Sequence, residues 1–340
     1  MSRYHLIFKD EEDQSSNMCI DWLTYSEREV QILNNDNLAV LDFTISVNSV
    51  DFLLVNNSVK IKFTDIKSYW LRRGQLNLIT LPIEDIINTI SKSAKFQHLK
   101  TKNTALHYSI LEFIYSKHGI GKIIFNETSK LYNLGLASNL GLQVPSTSVS
   151  SFKNNIEEYI SQYKCCTKAI RQGWYTDGTT SYNGPTKLVR FDDIGKIEYI
   201  TWPSLLQEYQ EKRYELRIFY LDGDFYTSAI FSQNDGQTKV DFRNYNNARP
   251  NRTPPYQLPA EIEEKLHKLM QKLTIKCGSI DMVVNTKNKF MLLEVNPFGQ
   301  FQQVSCPCNY YLELPYQIRL RRSMLICVIF ISQKYNQANK

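Results

Sequence analysis

Residues 214–233, YELRIFYLDGDFYTSAIFSQ, leave the backbone little choice. Two alternating apolar and polar runs flank Asp222-Gly223, a dipeptide that accepts the positive φ angles of a tight hairpin turn. A run of the same kind follows at 279–300, SIDMVVNTKNKFMLLEVNPFGQ, where NTKNK supplies the turn. Between them, LPAEIEEKLHKLMQKLT (258–274) lines up Ile262, Leu266, Leu269, Met270 and Leu273 on one helical side, with Pro259 suited to the helix start. Antiparallel hairpins and an amphipathic helix that must each bury a face predict a mixed α/β architecture.

The remaining chain alternates in the same way. YHLIF (4–8), LAVLDFTI (38–45) and VDFLLV (50–55) read as strands, and the polar run Lys9–Asn17 as a loop. SYWLRRGQLNL (68–78) is followed by two helical patterns, LPIEDIINTISKS (81–93) and TALHYSILEFIYSKH (104–118), the latter stopped by Gly119. Residues 1–120 therefore form a small α/β domain. A helix ending near Gly141, a polar helix around 152–162 and a strand CTKAI (166–170) begin a second domain over 121–205. The stretch RQGWYTDGTTSYNG is a loop or a hairpin tip. A third division, 206–340, carries both long hairpins.

Composition excludes more than it selects. With 42% hydrophobic and 22% charged residues, 340 residues suit a soluble globular protein with a sizeable core. The net charge of +6 is not gathered into a dense Lys/Arg run, which argues against nucleic acid. A nucleotide or an acidic peptide fits that charge equally well. Cys306-x-Cys308 lacks the matching Cys/His pair of a zinc site. The apolar run 324–331 is far shorter than the roughly 20 residues that span a bilayer, and no apolar signal core opens the chain. The expected location is cytoplasmic, away from membranes.

The polar residues of the second hairpin carry the chemistry. Asp281 and Val283 share one face of their strand, and Leu292, Glu294 and Asn296 share a face of the next. The sequence leaves the register open, and a hairpin pairing could bring Asp281 level with the Glu294/Asn296 end. Carboxylates on an apolar sheet are costly to bury unpaired, and a cation is the usual remedy. An Asp, Glu and Asn oxygen set suits Mg²⁺, which completes its shell with phosphate and water; solvated strand ends are the competing account. Polyphosphate needs cations in turn. Lys168 in a short apolar strand and Arg217 mid-strand each read alone as a salt-bridge residue, and together as a phosphate clamp.

From about residue 120 to 315 this pattern resembles the ATP-grasp carboxylate ligases, with residues 1–120 matching their preceding preATP-grasp-like α/β domain. The resemblance implies the ATP-grasp fold, ATP as cofactor, and Asp281, Glu294 and Asn296 holding two Mg²⁺. It makes Lys130 and Lys168 nucleotide-contacting lysines, sets Gln207, Glu208 and Tyr209 against the adenine, and gives Glu215 a ribose or nearby polar contact. Arg217 would support the transferred phosphoryl group and the acyl-phosphate. YWLRRG (69–74), the 214–233 hairpin, KVDFRNYN (239–246) and LLEVNPFGQFQQVS are similar to the graspetide maturases of the grasp-with-spasm type. Those enzymes join Asp or Glu side chains of a ribosomal precursor peptide to Ser, Thr or Lys side chains, giving ω-ester or ω-amide macrocycles. The implied partner is a precursor peptide with a leader and a Thr/Glu-rich core, and a homodimer is admitted. Arg243, with Arg249 and Arg252, is expected near the peptide carboxylates. Residues 174–184 would form a lid, and Arg72 and Arg73 would contact substrate or face solvent. Two rivals remain: a ligase for another carboxylate, such as an amino acid or a protein tail, and a non-enzymatic peptide-binding protein. After CNYYLEL an amphipathic helix is expected, where the sequence brings Pro315, a basic cluster and a β-branched run.

Overall fold

The computed structural model describes residues 3–11, 13–79, 94–121, 129–170, 174–176, 180–184, 186–195, 197–297 and 299–313. The helix expected at 81–93 and everything expected beyond Leu314 lie outside these residues. The chain divides into two compact units: residues 1–122 joined by residues from Leu312 onward, and Ile123–Tyr311. Among the described residues, no helix is long and apolar enough to cross a membrane.

The first unit begins with β1 (Tyr4–Phe8), whose apolar run is buried on both faces, as a central parallel strand requires. It lies between β2 (Val30–Leu33) and the strand Ile66–Leu71 in a four-stranded parallel sheet completed by His118–Ile120. A long hairpin, β3 (Asn37–Ser46) with β4 (Ser49–Val55), leads a second sheet. Two sequence expectations change here. The polar run after β1 turns helical at Gln14, because Ser15, Ser16, Cys19 and Leu23 form a buried stripe along α1 (Gln14–Tyr25). The later helix, α2, spans Ala94–Tyr115, and Gly119 belongs to the strand after it, where an added Cβ would collide with the Tyr69 ring.

Arg72 is not a solvated cation but a buried one. It is 2% exposed, with Nε 3.0 Å from Asp13 Oδ2 and Nη2 donating to Ser15 Oγ at 3.1 Å. This pair ties the start of α1 to the strand Ile66–Leu71. Arg72→Ala would strand a buried carboxylate, a loss of about 3–5 kcal/mol. Denaturant titration of the full chain is expected to show early unfolding of this unit; an unchanged first transition would refute the assignment.

In the second unit, α3 (Lys130–Asn139) and α4 (Lys153–Gln162) precede and flank an antiparallel sheet. Its strands, numbered on from the first unit, are β9 (Thr147–Phe152), β10 (Cys165–Thr167), β13 (Lys187–Leu188) and β14 (Ile200–Glu208), in the order β13-β10-β14-β9. In that numbering β5–β8 are Lys60–Lys62, Ile66–Leu71, Asn77–Leu78 and His118–Ile120, and β11 and β12 are Trp174–Thr176 and Ser181–Asn183. The last two pair with each other, so the Gly/Thr/Tyr-rich stretch contains a hairpin. Residues 205 and 206 both lie inside β14, so this sheet continues to Glu208, past the boundary expected at 205.

The second sheet of the unit has the order β16-β15-β17-β18: β15 (Lys212–Leu221), β16 (Asp224–Ile230), β17 (Cys277–Asn285) and β18 (Phe290–Asn296). Asp222 and Gly223 have φ of 50° and 107°, the paired positive angles expected of the hairpin turn. Leu216, Ile218, Ile280, Met282 and Leu292 point to one face and pack against Leu266, Leu269 and Met270 of a helix at Ala260–Lys272. The opposite face carries Glu215, Arg217, Ser279 and Asp281 among apolar residues such as Phe219 and Val283.

Candidate active site

Alternation places Glu215, Arg217 and Phe219 opposite the core on β15, and Ser279, Asp281 and Val283 opposite it on β17. Asp281 pairs directly with Glu294 of β18 on one side and Arg217 of β15 on the other. The two carboxylates thus meet as the sequence suggested. The expectation that Leu292 shares their face does not hold. Asp281 pairs with Glu294 but Met282 with Leu292, which leaves Leu293 as an extra residue. This bulge resets the alternation, so Leu292 is buried in the core while Glu294 and Asn296 stay on the polar face.

Cations surround the pair. Arg217 Nη1 donates to Asp281 Oδ1 at 2.5 Å and Oδ2 at 2.7 Å. Lys130 Nζ, at the first position of α3, lies 3.3 Å from Glu294 Oε2 and donates to Ala169 O at 3.1 Å. Lys168 stands just beyond β10 instead of within a strand, since β10 ends at Thr167. Burial, then the neighbouring Lys130, hold its ammonium down to about 8, opposed by Glu294. Burial pushes the Glu294 carboxyl up, yet Lys130, Lys168 and Arg243 together carry it below its ordinary value. Asp281 moves the other way, raised by burial and by Glu294 against the pull of Arg217.

These groups line a cavity of about 880 Å³ between the two sheets of the second unit. Lys130, Lys168, Asp281, Glu294 and Asn296 meet there with Gln207, Glu208 and Tyr209, at the crossing from β14 to β15. Gln207 Nε2 donates to Thr147 Oγ1 at 2.9 Å, and Glu208 Oε2 accepts the Ser146 N–H at 3.4 Å. Arg217 stands behind Asp281, 7% exposed and outside the cavity wall, so its guanidinium serves that carboxylate directly.

Glu215 is also in the wall, but its Oε1 already accepts from Lys212 Nζ at 2.7 Å and from Ser232 Oγ at 2.8 Å. It braces the segment that follows β16, since Lys212 Nζ also donates to Val240 O at 3.0 Å. Arg243 reaches the cavity from that segment, gripped by Asp241 through Nε at 2.8 Å and Nη2 at 2.6 Å. Lys212 and Asp241 escaped the sequence reading, although the Asp-x-Arg spacing of 241–243 is a local signal for such a clamp. Arg249 and Arg252 line a separate concavity, and Arg73 lies exposed on the first unit.

Among the described residues, no cluster of three or more His, Cys, Asp and Glu could hold a metal. The available donors are two facing carboxylates and the nearby amide of Asn296. They fit Mg²⁺: all are hard oxygens, and burial with Glu294 alongside disfavours the charge on Asp281 even against the pull of Arg217, a cost that a further cation would offset.

Solved structures match this fold over nearly the whole chain. A RiPP-associated ATP-grasp ligase of Chryseobacterium gregarium, in complex with ADP and a leader and core peptide, superposes with a TM-score of 0.75 at 21% identity, covering 94% of this chain and 95% of its own. The macrocyclase MdnC of Microcystis aeruginosa, bound with precursor peptide MdnA, gives 0.71 at 21% identity, with 94% and 99% covered. The chain has the ATP-grasp fold. D-alanyl-alanine synthetase A of Vibrio cholerae, at 13% identity and 95% and 98% coverage, gives a lower TM-score of 0.52. No family model matches the chain, and no curated protein matches it by sequence. Within this ATP-grasp fold, the cavity between the two sheets holds the expected lysines and carboxylates together.

Proposed function

We propose that the protein is an ATP-dependent ligase that closes macrocycles in a ribosomal precursor peptide. The observation that carries this reading is the single cavity where Lys130 and Lys168 face Asp281 and Glu294, with Arg243 in the wall. The likeness to ATP-grasp structures that hold leader, core or precursor peptides favours a peptide over a free amino acid.

The chemistry starts from a poor electrophile, the side-chain carboxylate of a precursor Asp or Glu. Its oxygen attacks the γ-phosphorus of ATP, the bond to the β-phosphate oxygen breaks, and ADP leaves an acyl-phosphate. A Thr or Ser hydroxyl, or a Lys amine, of the same peptide then attacks the carbonyl carbon and expels phosphate. Lys130 and Lys168 hold the nucleotide phosphates, and Arg243 holds the peptide carboxylate. Asp281, Glu294 and Asn296 would hold Mg²⁺, which when bound neutralises charge on the phosphoryl oxygens. Arg217 aims Asp281 and opposes the loss of its charge; the cavity walls limit the access of water to the intermediate.

Intact-mass analysis of a precursor peptide incubated with protein, ATP and Mg²⁺ tests the proposal. Successive losses of one water per ring, dependent on ATP, are expected. ATP turnover driven by an amino acid with no mass change in any peptide would move the assignment to another carboxylate ligase.

Lys168 adds a second prediction. Its ammonium titrates at about 8 in the free protein, and a bound polyphosphate would raise that value again. Nucleotide binding at pH 8 is therefore expected to take up protons, with affinity falling as pH rises through about 8. Calorimetry in buffers of different ionisation enthalpy measures the uptake, which Lys168→Met should abolish. Equal heats in all buffers would separate Lys168 from the phosphates.

A further inference from the structure

Arg249 and Arg252 line a concavity of about 420 Å³ together with Phe231, Asn234, Asp235 and Asn251. Its frame is fixed. Phe231 and Arg252 form an antiparallel bridge, with the Phe231 N–H donating to Arg252 O at 3.1 Å. Asn246 Oδ1 accepts the N–H groups of Ala248 at 3.0 Å and Arg249 at 3.2 Å, and Thr238 Oγ1 donates to Asn251 Oδ1 at 3.3 Å. The one acid in the lining, Asp235, accepts from Gln237 N at 2.8 Å and Asn246 Nδ2 at 2.6 Å. The Arg252 guanidinium rests 4.7 Å from the centre of the Phe231 ring, which steadies it without using its N–H donors. Arg249 lies near enough to Asp235 to help hold that carboxyl below its ordinary value, after the hydrogen bonds from Gln237 and Asn246.

A rigid frame with two guanidinium forks against a single carboxylate, Asp235, leaves a net positive pocket that suits a further carboxylate. The segment after β16 contributes to both, carrying Arg243 into the nucleotide-site cavity and Arg249 and Arg252 into this one. We infer that the Arg249/Arg252 concavity is a second carboxylate-reading pocket, which holds an Asp or Glu of the precursor peptide other than the one being activated. The inference rests on the ligase reading for its ligand and not for its geometry.

The test uses a fluorescein-labelled synthetic Thr/Glu-rich peptide and the full chain, with binding read by anisotropy. Arg249→Gln/Arg252→Gln is expected to weaken binding about tenfold, the scale of a charge-assisted hydrogen bond. The same peptide with Gln for Glu should bind wild type and variant alike. Arg249→Gln alone changes an exposed side chain, so it reports even where loss of the Phe231 contact disturbs the fold, and should show part of the effect. Unchanged affinity in both variants, an equal loss with the Gln peptide, or no binding to the wild type would overturn the pocket. Arginine-dependent binding by a chain that fails to bind ATP would support the pocket and sink the ligase reading instead.

Discussion

Glu294→Gln is expected to lower ATP-dependent dehydration of a precursor peptide by about 10²–10³-fold while the chain stays folded. The side chain keeps its size, and its neighbours Lys130 and Lys168 keep their places, since Lys130 also donates to Ala169 O. What goes is one of two negative charges facing each other across β17 and β18. An amide oxygen is a weaker ligand for a hard cation, and the uncompensated lysines would bind phosphate in the ground state as tightly as before. Nucleotide binding is therefore expected to survive while turnover collapses. Binding by calorimetry with single-turnover mass analysis separates the two. A variant that dehydrates peptide at the wild-type rate would remove Glu294 from the reaction and with it the proposed Mg²⁺ site.

Arg217→Ala should instead act on stability. Asp281 is half-buried in the cavity wall beside Glu294, and Arg217 is the cation that contacts both its oxygens. Its loss leaves a half-buried charge uncompensated, worth at most about 3–5 kcal/mol. The sign with pH follows from the raised carboxyl of Asp281. Without Arg217 that value rises further, so the folded variant binds a proton that the unfolded chain releases at ordinary carboxylate pH. Stability of the variant should therefore be greatest at acidic pH and fall as pH climbs through the folded-state value. Arg217→Ala/Asp281→Asn should regain much of the loss at pH 7 in denaturant titrations. If the double variant is no more stable than the single one, the pair is not what holds Arg217 in place.

What was legible in the sequence was whatever local pattern decides. Asp222-Gly223 fixes its hairpin because few dipeptides accept two positive φ angles, and the stripe Leu266, Leu269, Met270 fixes its helix by spacing. That Asp281 and Glu294 could meet was legible from the hairpin, while the register that pairs them directly came only with the fold. The bulge at Leu293 was not, because a bulge depends on how two strands match in length and twist. The fates of the arginines were hidden for a related reason. Arg72 is buried because Asp13, far off in sequence, lies opposite it, and Arg249 parts from Arg243 because Asn246 turns the chain between them. Glu215 lies in the cavity wall, and its partners there, Lys212 and Ser232, came only with the fold. Charge type shows in a sequence, whereas charge partnership is a property of the fold.

The extra residue in β18 also bears on how such a cavity changes over generations. A substitution at a regular strand position trades one side chain for another on a fixed face. Leu293 enters the cavity wall beside Glu294 while Leu292 and Val295 keep their places in the core. Removing it would restore plain alternation with Glu294 and Asn296 still on the polar face. Insertion or deletion of one residue here is thus a route for altering the room beside the reacting groups without redrawing either the hydrophobic layer or the carboxylate pair.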